Sequence, residues 1–163
     1  MDSFYYEKIK EFYGETKAEH SGLPYIRHID QGLQILDRLG SSNLTKAAFC
    51  IHPLVQENPT LITAIKLGFL NDCNATVVMV AMEYRAVANS YLSHHPLNLK
   101  VNLGPLDEVR QMLIADKVQN YNDLIYHNTN HPNFIHLRRY FYSWLAILGI
   151  TQDMYDELAR GLK

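Results

Sequence analysis

Apolar residues recur with the period of an α-helix along almost all of this chain, and no stretch carries a strand signature. Glycines, prolines and capping residues divide that pattern into helices. Phe4, Ile9, Phe12 and Tyr13 mark a first helix over about residues 3–18, interrupted by Gly22-Leu-Pro24. Ile29, Leu33, Leu36 and Leu39 share one face of a second, from about Tyr25 to Leu39. Gly40 closes it, because only glycine enters the left-handed region without a steric cost. Ser41-Ser-Asn43 caps a third. It is expected to end near His52, since Pro53 disfavours helical geometry in the residue before it. Asn58-Pro59 begins a fourth through Leu70, and Asn71-Asp-Cys-Asn74 caps a fifth from Ala75 to Leu92. Pro105 opens a sixth to Tyr126, Asn133 to Leu148 forms a seventh, and Thr151 caps an eighth from Gln152 to Leu162. Residues 94–104 and 128–132 read as loops, the former placed to lie near a pocket mouth.

The expectation is therefore an all-α fold, a single helical domain over residues 1–163 without repeat or linker. Apolar residues make up 47% and charged residues 20%, ordinary for a globular protein. A net charge of −2 gives no basic surplus, so neither DNA nor RNA is an expected partner. The opening Met1-Asp-Ser-Phe-Tyr-Tyr-Glu-Lys8 lacks the pattern of a secretion signal, and no apolar run is long enough to span a bilayer. A cytoplasmic protein with no membrane partner is expected. Cys50 and Cys73 lie in apolar helical text and read as small buried hydrophobes in a reducing compartment. Of the 8 histidines, His94, His95, His127 and His131 fall in loops and read as surface residues.

Four segments carry the chemistry. They are Pro24-Tyr25-Ile-Arg27-His28, Lys46-Ala-Ala-Phe-Cys-Ile-His52-Pro53-Leu-Val-Gln56-Glu57, Ala115-Asp116-Lys117-Val-Gln-Asn120, and the closing helix around Trp144. In order and spacing they resemble the HD-type hydrolase domain of RelA/SpoT proteins, above all the small stand-alone metazoan SpoT homologues. A further likeness is to HD-like proteins encoded by tailed phages. The resemblance covers nearly the whole chain. It implies an HD-domain-like helical bundle in which a histidine, a His-Asp pair and a distant aspartate hold manganese, and which removes pyrophosphate from a guanosine alarmone. His28, His52 and Asp116 match three of the metal ligands. Pro53 stands where the family has the aspartate of the pair, and a proline side chain has no ligand atom. The family's catalytic acidic pair reads Gln56-Glu57, half retained. Asn120 matches the sugar-contacting asparagine, and Lys17 is the candidate for the basic purine-side loop.

Physical reasoning adds to this. Asp116 and Asn120 share one helix face that is otherwise apolar, where a carboxylate must find a partner or a ligand. Two imidazoles and one carboxylate can hold a divalent ion, with lower affinity than a fuller set. The alternative for His28, His52 and Asp116 is a hydrogen-bonded structural triad, and for Gln56 and Glu57 a solvated helix end. Arg85 and Asn89 share a face beside Glu83 and read either as an internal ion pair or as a phosphate grip. Lys17, Tyr25, Arg27, Arg85, Asn89 and Asn120 make up the candidate nucleotide contacts. Phe134, Leu137, Phe141, Trp144, Leu145 and Leu148 read as core or subunit interface rather than a base-stacking platform. Arg138-Arg139 reads as a solvated face.

The functional expectation is a degenerate HD-domain protein that binds, and so sequesters or senses, a phosphorylated signalling nucleotide with weak or no hydrolysis. An active nucleotide phosphohydrolase using manganese or another divalent metal is the first alternative. A non-catalytic protein-interaction module is the second. Homo-oligomerisation is left open.

Overall fold

Ser42 shows how this chain writes its helix boundaries. Its backbone is extended, and its hydroxyl accepts from the Thr45 amide at 3.1 Å, satisfying one of the donors that a helix start leaves orphaned. Thr151 does the same for Met154, and the Asn74 side chain accepts from the Thr76 amide at 2.8 Å. Gly40 and Gly149 end their helices at φ +66° and +73°.

A computed structural model describes residues 3–17, 22–90 and 101–162. Eight helices are seen among them: α1 Ser3–Tyr13, α2 Ile26–Arg38, α3 Asn43–Gln56, α4 Asn58–Lys66, α5 Ala75–Ser90, α6 Asp107–His127, α7 Phe134–Ile147 and α8 Gln152–Leu158. The fold is all-α. Among the described residues, extended pairing is confined to an isolated antiparallel bridge between Lys17 and Pro24. No helix among the described residues is long and apolar enough to cross a membrane.

Helix α3 is the hub. It packs most closely on α5 and also touches α1, α2, α4 and α6. Ala48, Phe49, Cys50, Ile51, Leu54 and Val55 are all sealed from solvent, so α3 is apolar around most of its circumference. Gly32 in α2 lets that hub come close. A Cβ there would lie 2.1 Å from the Phe49 ring, so only glycine admits the ring against the α2 backbone. Cys50 is buried, Cys73 is half-buried, and both are free thiols.

Four boundaries differ from the sequence expectation, and one is the eighth helix, which stops at Leu158 rather than Leu162. The first helix stops at Tyr13, where Gly14 turns left-handed at φ +52°. The fourth stops at Lys66, and its chain reversal uses Gly68 at φ +74°. The third does not end near His52 but runs through Pro53 to Gln56. Pro53 forfeits one hydrogen bond, yet Leu54 and Val55 just beyond it are fully buried, and their burial holds the last turn in place. Leu92, His94, His95 and most of the 94–104 loop lie outside the described residues.

Candidate metal centre

Three helices deliver one side chain each to a single point. His28 comes from the first turn of α2, His52 from the last part of α3 and Asp116 from the middle of α6. One ligand atom of each lies within 4.8 Å of the others. His28 Nε2 is 3.3 Å from His52 Nε2 and 3.5 Å from Asp116 Oδ1. His52 and Asp116 are buried, and His28 is partly open.

The partners behind these atoms fix what each can do. His52 Nδ1 donates to the Phe49 carbonyl at 2.6 Å, so Nε2 carries the lone pair and faces the centre. Burial, and next the neighbouring His28, hold the His52 imidazole down at about 3, so it is neutral. Burial alone would raise the Asp116 carboxyl, but the Lys117 ammonium and then the two imidazoles outweigh it and bring it to about 2. Its Oδ2 lies 2.6 Å from Lys117 Nζ, and its Oδ1 accepts from Asn120 Nδ2 at 2.8 Å. The Tyr84 hydroxyl is buried beside the Asp116 carboxylate. Burial and then that carboxylate push this phenol well above its ordinary value. Lys117 is itself buried, its ammonium 5.2 Å and 5.8 Å from the Trp144 and Tyr140 ring centres. Burial opposes its charge, and the paired Asp116 prevails, raising its pKa.

His28 is governed from the other side. A guanidinium only donates, so the Gln31 oxygen belongs on the Arg27 side, 2.9 Å from Nη2 and 3.3 Å from Nε, with the Gln31 nitrogen 3.1 Å from the Gln119 amide. Two amide nitrogens cannot face each other, so Gln119 has to turn over with Gln31, which puts its oxygen toward Gln31 and its nitrogen toward His28 Nδ1 across the 2.6 Å contact. The chain Arg27–Gln31–Gln119 therefore makes Nδ1 an acceptor and leaves the His28 proton on Nε2, facing the bare Nε2 of His52. Arg27 also lies 3.1 Å from His127 Nε2 and 3.7 Å from Asp123.

The centre opens into a cleft of about 980 Å³. Tyr25, Gln56, Glu57 and Asn120 line it together with His28, His52 and Asp116. Pro53 lines it too. Tyr25 stacks on Tyr13 at the wall, ring centres 5.3 Å apart. Lys17, Arg27, Arg85 and Asn89 do not line it. Lys17 sits in the exposed bridge to Pro24. Arg85 donates to Asn58, and Asn89 exchanges hydrogen bonds with Gln56, including Gln56 Nε2 to Asn89 Oδ1 at 2.6 Å. Of the aromatic stripe on α7, Trp144, Leu145 and Leu148 are core as expected, but Leu137 and Phe141 face the cleft. His131, expected on the surface, is half-buried and also lines it. Gln31, Gln119 and Tyr84 escaped sequence reasoning, since each reads as one polar residue in helical text. The available signal was Gln119 lying between Asp116 and Asn120 in a buried turn.

Two imidazole nitrogens and a carboxylate oxygen in this arrangement suit a divalent transition ion. The fit has a cost. A cation at His28 Nε2 needs the opposite His28 tautomer, which reverses the amide chain and turns a Gln31 nitrogen toward Arg27. The seat is therefore three-pronged and opposed by its own surroundings. No family model matches the chain, and neither curated proteins nor solved structures give a match.

Proposed function

We propose that the cleft binds a small phosphorylated ligand of nucleotide size, brought in with a divalent cation, and that hydrolysis is weak or absent. The convergence of His28, His52 and Asp116 in the floor of a roomy cleft carries this reading. A volume near 980 Å³ lies at the upper end of small-molecule sites. Its walls offer aromatic faces in Tyr13, Tyr25 and Phe141 for an unsaturated ring.

Charge decides how phosphate is held. Among the described residues, the cleft is lined by three carboxylates, Glu57, Asp116 and Asp123, and by one ammonium, Lys117, which Asp116 already engages. A bare polyphosphate meets net negative charge there, so it needs an accompanying cation. Such a cation supplies charge neutralisation and orients the phosphate. The likeness to the hydrolase domain of RelA/SpoT proteins points to the same ligand class. Weak turnover follows from the chain's own groups. Pro53 offers no ligand atom, Gln56 is tied to Asn89, and the His28 tautomer opposes the cation.

Hydrolysis is the second reading, favoured by the exposed Glu57 carboxylate on the cleft wall. One experiment separates the two. Purified protein is heated with a nucleotide panel, guanosine polyphosphates included, with and without Mn2+, and phosphate release is followed in parallel. A rise in Tm that needs both nucleotide and Mn2+, without release, is expected. Stoichiometric release would establish the hydrolase, and no shift with any nucleotide would overturn both readings.

A further inference from the structure

Pro53 looks like a lesion, since it removes a ligand and sits inside a helix. Its position in α3 suggests a use. In a regular helix the amide of residue 53 would donate to the carbonyl of residue 49. Pro53 has no N–H, so the Phe49 carbonyl is released from the ladder. That same carbonyl accepts from His52 Nδ1 at 2.6 Å, a bond in which both partners are buried. The Phe49 and His52 rings lie 4.7 Å apart, so the residue that provides the carbonyl also packs the imidazole.

We propose that Pro53 is a positioning residue: by withholding a backbone donor it frees the Phe49 carbonyl for His52 Nδ1–H, and so keeps His52 Nε2 bare and aimed at His28 and Asp116. An outer hydrogen bond that fixes the tautomer of a ligating histidine is a recurrent feature of metal sites. Here the helix backbone provides it, and the proline makes that possible. The inference concerns the same centre as the proposed cation-dependent site, but the orientation of His52 holds whether or not a cation binds.

The test is Pro53→Ala, which returns an N–H to the helix, with Pro53→Ser as a second variant should the first fail to fold. Nitrogen chemical shifts of the His52 ring are read in metal-free protein. Wild type is expected to show protonated Nδ1 and bare Nε2, and both variants a mixture of tautomers. Mn2+ affinity is expected to fall about tenfold in the variants, as for loss of an outer-shell partner. The urea midpoint is expected to rise, because an interior proline is gone. A proline that is merely tolerated predicts the same rise with tautomer and affinity unchanged, and that result would overturn the proposal. If wild type binds no Mn2+, the ring shifts alone decide it, and only the cation reading fails.

Discussion

His52 is buried, neutral and wedged between Phe49 and Tyr84, with ring centres 4.7 Å and 4.9 Å away. Its ordinary value of 6.5 is lowered in the folded protein to about 3. A lowered value means that the unfolded chain takes up the proton first. Stability from this residue is therefore complete above about pH 6.5 and is lost as pH falls toward 3, by up to about 1.4 kcal/mol per unit. Urea unfolding between pH 7 and pH 4 should show this slope, and His52→Gln should flatten it. An equal slope in the variant would show that other groups dominate. Arg27 gives a second residue-scale prediction. With Arg27→Met the amide chain is free to reverse, so Mn2+ affinity should rise, about tenfold. An unchanged or weaker affinity would mean that Arg27 does not set the His28 proton. Gly32 gives a third. Its Cβ would collide with the Phe49 ring, so Gly32→Ala should cost about 1–3 kcal/mol in place of the helix-propensity gain of up to about 1 kcal/mol. A more stable variant would contradict that. Helix propensity alone makes a mid-helix glycine look like a defect. Its reason is a contact with a residue on another helix, which no local pattern reveals.

At the scale of elements, α6 concentrates the polar machinery. Within about one turn it carries Asp116, Lys117, Gln119 and Asn120, the first three buried. The Asp116–Asn120 pairing was legible in the sequence, because that spacing aligns the two side chains on one face. Lys117 was not. Its neighbours in sequence suggest a surface charge, whereas its ammonium is enclosed by Asp116, Tyr140 and Trp144 through the packing of α7 on α6. Removing one member of a buried pair leaves the other uncompensated, so Lys117→Met should cost about 3–5 kcal/mol. Mn2+ should restore part of that loss and raise the variant's Tm more than that of wild type. Equal shifts in the two proteins would show that the cation does not approach Asp116. The helix α3 boundary illustrates the opposite failure. Proline rules describe an isolated chain, and here tertiary burial of Leu54 and Val55 carries the helix past Pro53.

For the molecule as a whole, the helical period and the capping residues made the fold class readable, because both are local. The order His28, His52, Asp116 was readable as motif text, and the folded chain does bring these residues together. The lining of the cleft was not readable. Arg85 and Lys17 were natural candidates by charge, but α5 turns Arg85 toward Asn58, and Lys17 stands on the exposed bridge to Pro24. What lines the cleft instead is carboxylate and aromatic, which makes the accompanying cation the centre of the account. The most direct measurement is calorimetric titration of Mn2+ into wild type and His28→Ala. His28 is the least buried of the three candidate ligands, so its loss tests the seat with little damage to the core. A single site in wild type that disappears in the variant is predicted. Absence of binding in wild type at millimolar Mn2+, or undiminished binding in His28→Ala, would contradict the account.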